Sequence, residues 1–442
     1  MQRKIRLTPV RSLVLGYLAV ILLGTLLLIL PISTHKTGSA SFMDALFTTV
    51  SASCVTGLVL HDTYTYWSVF GQIVIIFLIQ MGGIGFMTVI ISILRIGGKK
   101  INLKERTFMQ ESVSAPNVGG LVKLTGTILI GTLIFESIGA FILAFRFVPD
   151  YGWGKGIYFA IFTSISAFCN AGFDLMGINE EYSSLTLYSS DPIVCITVPL
   201  LIIIGGLGFF VWKDIKDNKF HLRKCALHTK LVLVTTAVLI IVPFIIILIA
   251  ENELPWKERI LSSFFTAVTP RTAGFNVLDM PTMQTATLTV TILMMLIGGS
   301  SGSTAGGIKT NTFAVLFLSL FSLIRGKRSV ECFGRRLDEE NVRNASQFVT
   351  IYLLFIAVSV ILISLFEQGK GFTFTDILFE TVSAIGTVGL SLGITQSLTV
   401  GSELILCILM FLGRAGCMTV MLSLRTANAP TAELPMEKVR IA

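Results

Sequence analysis

The chain has little charge, few histidines and no paired cysteines. Charged residues make up 14% of its 442 residues, where soluble proteins carry roughly 25%. Hydrophobic residues reach 53%, and the mean hydropathy is +0.80. Such a composition excludes an ordinary soluble fold and predicts an all-α integral membrane protein. The four histidines form no HxxxH pattern and the seven cysteines no CxxC pair. A zinc site or disulfide framework is thereby excluded, and the cysteines read as small buried hydrophobes. No carboxylate pair or Ser-His-Asp grouping falls in a plausible pocket, so no enzyme is indicated. GGIKT (306–310) lacks the GK[ST] of a phosphate loop, and GGIGF (82–86) and GGLGF (205–209) lack GxGxxG spacing.

What the chain has is long apolar runs. Ser12–Ile32, Val69–Leu94, Pro192–Trp212, Leu231–Ala250 and Ala345–Phe366 carry no charge, Leu124–Phe145 carries only Glu136, and Leu404–Leu424 only Arg414. Each is long enough to cross a hydrocarbon core of roughly 30 Å. Thr285–Ile324, charged only at Lys309, is too long for one straight crossing and is broken by GGSSGSTAGG at 298–307. The first run is too long for a signal peptide and reads as a permanent span.

Charge then orients the spans. Segments 1–11, 95–123, 213–230, 325–343 and 425–442 hold 25 of the 34 Lys and Arg; segments 31–67, 146–191, 251–284 and 367–403 hold 7, against 15 acids. The positive-inside rule predicts eight crossings with both termini in the cytoplasm. Because the basic excess follows topology, with no basic–aromatic interleaving, nucleic-acid binding is set aside.

Between outgoing and returning spans, on the outer side, one phrase recurs: VSASCVTGL (50–58), ISAFCNAGF (165–173), AVTPRTAGF (267–275) and VSAIGTVGL (382–390). Aligned on Gly57, Gly172, Gly274 and Gly389, they share Phe47, Phe162, Phe264 and Phe379 ten residues back, and Thr49, Ser164, Thr266 and Thr381 eight back. The text before each glycine is apolar enough to enter the membrane and too short to cross it, since about twelve helical residues reach roughly 18 Å. Such a half-helix must turn back where it lines water or is buried in protein. Four half-helix C-termini aim negative partial charge at one centre. The residues after them can offer backbone carbonyls to a cation in place of its water. The predicted units are 1–112 with pore loop 42–60, 113–224 with pore loop 156–175, 225–343 with pore loop 259–277, and 344–442 with pore loop 372–391 and a C-terminal tail. Parallel repeats argue against a secondary transporter built on inverted ones.

Four span–pore-loop–span repeats with one glycine each resemble the Trk/Ktr/HKT superfamily of potassium transporters. Over essentially its whole length the chain is similar to the membrane subunit of bacterial Ktr systems, with PRTAGFN (270–276) and the 298–307 break as specific marks. The resemblance implies a fourfold pseudosymmetric pore in one chain, paired as a homodimer among the lipids of a bacterial plasma membrane. It implies potassium as substrate and a filter formed by Val55, Thr56 and Gly57; Asn170, Ala171 and Gly172; Thr272, Ala273 and Gly274; and Thr387, Val388 and Gly389. The ion would be held by their backbone carbonyls, with some dependence on sodium. The implied partner is a cytosolic RCK-type ring that binds the regulatory nucleotide. These 442 residues contain no such domain, so it would be a separate chain. A sodium-coupled transporter and a less selective monovalent cation channel are the alternatives.

Two features fall inside the expected pore. The resemblance identifies Gly298, Gly299, Ser300, Ser301, Gly302, Ser303, Thr304, Ala305, Gly306 and Gly307 as an intramembrane gating loop, with Lys309 as an anchor to a carbonyl or a neighbouring subunit. Arg414 lies mid-span, where arginine costs about 2.5–3.5 kcal/mol on insertion scales, so it should face water or a carboxylate. The resemblance implies a place beneath the filter, where its charge slows cations; a salt bridge to Glu136 is the rival expectation. Asp44 and Asp376, each thirteen residues before a filter glycine, are expected to cap pore half-helices; the alternative is that they gather cations at the outer mouth.

Overall fold

Residues 9–35, 38–85, 88–89, 121–327, 329–417 and 420–421 are described by the structure, a computed structural model. Their regular structure is almost wholly helical. The first unit comprises α1 (Pro9–Ile29), α2 (Phe42–Ser53), the single turn α3 (Thr63–Tyr66) and α4 (Val69–Ile84). Next come α5 (Leu121–Cys169), α6 (Pro192–Leu207) and α7 (Phe209–Asp217). The third group is α8 (Leu227–Ala250), α9 (Trp256–Val268), α10 (Thr285–Met295) and α11 (Thr310–Ile324). After a small hairpin pairing Glu331–Cys332 with Arg335–Arg336 come α12 (Glu339–Phe366), α13 (Phe374–Gly386) and α14 (Val400–Ala415).

Four helices among the described residues are long and apolar enough to cross a membrane: α1, α5 (which turns back at Gly152), α8 and α12. Each opens its unit. The returning helices are shorter, and glycine interrupts or ends them. Helix α4 ends at Gly85 (φ 88°), α14 at Gly416 (φ 86°) and α6 at Gly208 (φ 94°). This corrects one expectation: Pro192–Trp212 is not one straight span, because α6 and α7 meet at an 85° bend. Gly208 takes a left-handed angle that ends helical bonding and that few other residues adopt. The third unit breaks as the sequence predicts, between α10 and α11. The far ends of Val69–Leu94 and Leu404–Leu424, the 112/113 boundary and the C-terminal tail lie outside the described residues.

Packing is inverted relative to a soluble protein, because lipid rather than water surrounds the spans. On α1, Leu22, Leu23 and Leu26 are exposed, while Thr49, Ser51, Ser164, Ser166, Thr381 and Ser383 of the half-helices are 0% exposed. The half-helices α2, α9 and α13, together with 153–169 of α5, therefore form the centre. In α5 the chain reverses at Gly152 (φ 78°). The two arms are so close that a Cβ on Gly156 would lie 2.6 Å from Val148 Cα.

Helix α9 stops six residues before Gly274, whereas its three counterparts run to within three or four of their glycines. Pro270 has no N–H to carry it further. Phe47, Phe162 and Phe379 are buried, but in the third unit Phe265 rather than Phe264 is fully enclosed.

The capping expectation holds in part, for Asp376 and not for Asp44. Ser41 and Thr373 are the N-caps, and Asp44 and Asp376 stand three residues inside. Asp376 completes a capping box by accepting from the Thr373 N–H at 2.8 Å. Asp44 turns instead to His61 (3.3 Å) and the Tyr66 hydroxyl (3.2 Å).

Candidate ion pathway

The four phrases share a backbone conformation as well as letters. Val55, Asn170, Thr272 and Thr387, each two residues before its glycine, all have positive φ, between 52° and 69°. Gly57, Gly172, Gly274 and Gly389 follow at 96°, 72°, 79° and 91°. In three units the amide before the glycine donates to a carbonyl five residues back: Thr56 to Ser51, Ala171 to Ser166 and Val388 to Ser383, each at 2.8 Å. The Ser51 and Ser383 hydroxyls also accept from the glycine N–H at 3.1 Å. The third unit lacks this serine, having Val268 there. It is fastened instead by Thr269 Oγ1 donating to the Phe275 carbonyl at 2.5 Å.

The glycines meet in cyclic order. A Cβ on Gly57 would lie 2.5 Å from the Ala171 carbonyl oxygen, and one on Gly172 2.8 Å from that of Ala273. On Gly274 it would lie 2.4 Å from the Val388 oxygen, and on Gly389 2.1 Å from that of Thr56. The fourth contact returns to the first unit, so the circuit closes. The side chains of Val55, Thr56, Asn170, Ala171, Thr272, Ala273, Thr387 and Val388 are all buried. The atom that faces each glycine most closely is a backbone carbonyl oxygen, not a side-chain atom.

Above the ring opens a cavity of about 620 Å³ whose lining includes all four glycines and Asp62, Asp174, Glu180, Glu181, Glu258 and Asp279. No lysine or arginine lines it. Single-signed charge between low-dielectric walls raises the local cation concentration. Asp44 and Asp376 are not among the lining residues; the acid excess of the outer segments was the sequence signal for those that are.

Below the ring lies the 298–307 loop. Its base is closed by Gly298 N–H donating to the Ile308 carbonyl (2.8 Å) and by Thr310 Oγ1 donating to that of Gly298 (2.8 Å). It approaches the ring from beneath: a Cβ on Gly306 would lie 2.2 Å from Thr387 Oγ1, and one on Gly298 3.1 Å from Thr272 Cγ2. The bend at Gly208 leaves the last carbonyls of α6 without helical partners, and the loop supplies them. Ser300 N–H donates to Gly206 (2.9 Å), Thr304 N–H to Gly205 (3.3 Å) and the Ser300 hydroxyl to Leu207. In return Phe209 N–H donates to the Gly302 carbonyl at 2.8 Å. Each such carbonyl left unpaired would cost about 1–3 kcal/mol. The broken helix and the loop therefore complete each other.

Thr304 joins the loop to the ring, since its hydroxyl donates to Asn170 Oδ1 at 2.9 Å while Asn170 Nδ2 donates to the Arg271 carbonyl at 3.2 Å. Arg414 braces the same point from the other side. Its guanidinium donates to the carbonyls of Thr304 and Gly82, and to that of Gly83 at 3.1 Å. The salt bridge to Glu136 is not made: among the described residues no ion pair involves Arg414, and Glu136 accepts from Gln80 at 3.1 Å. Carbonyl oxygens freed by the breaks suit a guanidinium's planar fork of donors. Lys309 Nζ donates to the Ala305 carbonyl at 2.6 Å, an anchor within its own loop. Gly302, Ser303, Lys309 and Arg414 line a second cavity of about 220 Å³.

Glycines of the returning helices pack on the half-helices. A Cβ on Gly82 would lie 2.1 Å from the Ser53 carbonyl, on Gly205 2.1 Å from that of Phe168, and on Gly413 2.0 Å from that of Ile385. Close packing, the sequence-based reading of GGIGF and GGLGF, thus holds for Gly82 and Gly205. The helix ends at Gly85 and Gly208 go beyond it. The roles of Asn170 and Thr304 as a side-chain link, and the buried Arg271 and Glu380, had no signal in spacing.

Residues 16–432 match the TrkH family, described as cation transport protein. The chain is 40% identical over 438 residues to Ktr system potassium uptake protein B of Bacillus subtilis (strain 168), covering 98% of this chain and 96% of that one. It is 41% identical over 429 residues to potassium/sodium uptake protein NtpJ of Enterococcus hirae, covering 95% of this chain and 93% of that protein. The crystal structure of the potassium transporter TrkH from Vibrio parahaemolyticus shares the fold. Its TM-score is 0.73 at 18% identity, with 96% of this chain and 87% of that chain covered. These relatives are ion transporters rather than enzymes, and this chain is a multi-pass membrane protein belonging to the TrkH family of cation transport proteins.

Proposed function

We propose that this protein is the pore-forming subunit of a potassium uptake system in the plasma membrane of a bacterium. The observation that carries the reading is the closed cyclic contact of Gly57, Gly172, Gly274 and Gly389 with the carbonyls of the next unit. Potassium gathers in the acidic outer cavity and sheds water. It is then held by the carbonyls of Val55–Gly57, 170–172, 272–274 and 387–389. Because the side chains at these positions are buried, discrimination rests on backbone spacing.

The 298–307 loop closes the cytoplasmic side and withdraws when a separate cytosolic nucleotide-binding ring of RCK type changes shape. Arg414 and Lys309 hold its closed form. The four repeats surround one pore per chain with fourfold pseudosymmetry, two chains pair as a homodimer, and the basic segments keep both termini in the cytoplasm. The printed name of the Enterococcus relative, a potassium/sodium uptake protein, favours a second reading in which sodium stimulates or accompanies transport.

The test is rescue of a potassium-uptake-deficient bacterium at low potassium, with rubidium flux in vesicles and sodium varied independently. Absence of rescue with the regulatory partner supplied overturns the function. Deleting 300–306 should raise flux and remove its nucleotide response; unchanged flux and response overturn the gate. Indifference of flux to sodium overturns the second reading.

A further inference from the structure

Nine residues before their glycines, three of the half-helices carry Thr48, Thr163 and Phe265, and the fourth carries Glu380. The carboxylate is 1% exposed, and no ion pair among those of the described residues includes it. Burying a carboxylate is expensive unless hydrogen bonds compensate. Three do: the Ser391 hydroxyl donates to one oxygen, Thr395 Oγ1 to the other at 3.1 Å, and the Leu392 N–H adds a backbone bond.

An ionised carboxylate only accepts, so both hydroxyls give it their protons; Ser391 Oγ in turn accepts from the Gly393 N–H at 2.8 Å and lies 3.0 Å from Thr395 Oγ1. Ser391 stands two residues beyond Gly389 and lines the outer cavity. The carboxylate thus fastens the outer lip of the fourth strand to its own half-helix.

The other lips are held differently. In the third unit Asn276 N–H donates to Ser184 Oγ (3.3 Å), and the Asn276 carbonyl accepts from Leu185 (3.0 Å). In the second, Asp174 accepts from Met176 at 2.9 Å. The first lip has no polar side chain at this place, only Val59. Its carbonyl accepts from Gln396 Nε2 at 3.5 Å, and Gln396 belongs to the same short turn, Thr395–Ser397, that Glu380 holds through Thr395. One buried carboxylate therefore anchors the turn that joins the fourth lip to the first. At that seam a Cβ on Gly389 would stand 2.1 Å from the Thr56 carbonyl, the closest of the four such approaches.

We propose that Glu380 is a positioning residue for ion selection: by holding Ser391 and Thr395 it sets the spacing between the fourth and first strands of the ring. This rests on the filter reading above. The full-length chain with its regulatory partner is assayed as wild type, Glu380→Ala, Glu380→Gln, Ser391→Ala, Thr395→Val and Gly389→Ala. Potassium and sodium uptake are measured over a concentration series and normalised to folded protein in the membrane.

Glu380→Ala should raise the KM for potassium about tenfold, the effect of losing hydrogen bonds to a charged group. The potassium-to-sodium ratio should fall, with a smaller change in maximal flux. Glu380→Gln keeps one acceptor and should lie between Glu380→Ala and wild type. Ser391→Ala should shift KM in the same direction and add little to Glu380→Ala, as for residues in one network. If Glu380→Ala does not reach the membrane, Ser391→Ala and Thr395→Val decide by the same readout. Wild-type KM and ion ratio in these variants, with flux lost only in proportion to folded protein, would overturn the proposal. If Gly389→Ala shifts the ratio and they do not, the role of Glu380 alone fails; if Gly389→Ala leaves it unchanged too, the filter reading falls as well.

Discussion

Alanine at each ring glycine adds one methyl group where the carbonyl of the next unit already crowds the proposed filter, and the structure ranks the consequences. Ordinary contact begins at 3.4 Å, whereas the added Cβ would stand 2.1 Å from a carbonyl oxygen at Gly389, 2.4 Å at Gly274, 2.5 Å at Gly57 and 2.8 Å at Gly172. All four obstructing atoms belong to backbone, which cannot swing aside as a side-chain tip can. The left-handed conformation adds about 1–2 kcal/mol for any residue but glycine, a factor of about 5–30 in an equilibrium constant. Relief requires the facing carbonyl to leave the ring, so a bound ion loses a ligand. Potassium KM should therefore rise at least tenfold in every variant, in the order Gly389 > Gly274 > Gly57 > Gly172, with discrimination against sodium falling in step. Rubidium and sodium uptake into vesicles, normalised to protein, measures both. Four equal effects, or Gly172→Ala as the most severe, would refute the cyclic geometry as the source of selectivity.

Arg414 allows bracing to be separated from charge. Arg414→Ala should raise resting potassium flux severalfold by freeing Thr304 from Gly82 and Gly83. Arg414→Lys should behave nearly as Ala, because a single ammonium nitrogen cannot stand at both places from which Nη1 reaches Thr304 and Nη2 reaches Gly82 and Gly83. A wild-type flux for Lys would instead make the charge itself the barrier. At the outer surface, the bond from His61 is the main cause that draws Asp44 from its ordinary 3.8 to about 2, helped by Ser41 and Tyr66 against a smaller opposing effect of burial. A depressed carboxylate stabilises the fold above its unfolded value and loses that contribution as pH falls through the folded one. Asp44→Asn should thus lower the melting temperature at pH 7, and the gap from wild type should close as the pH approaches 2. A gap that persists there would show that Asp44 acts by shape alone.

The membrane class, the four repeats, their glycines and the break at 298–307 were legible because each has a linear signature. Apolar length reports a crossing, a recurring phrase reports a repeated unit, and a run of glycine and serine reports a backbone that no lipid could surround. What the letters could not carry was which groups face each other across units far apart in the chain. Arg414 reads alike whether it meets Glu136 or three carbonyls. The structure chose the carbonyls because the break between α10 and α11 and the end of α4 left those of Thr304, Gly82 and Gly83 within its reach. Pro192–Trp212 read as one span because its apolar text continues through Gly208, and only the backbone angle there reveals the bend that receives the loop. Local propensity and hydropathy determined the elements, since these depend on neighbours in sequence; tertiary packing alone decided the ring, the link from Thr304 to Asn170 and the anchoring of Ser391, since these depend on neighbours in space.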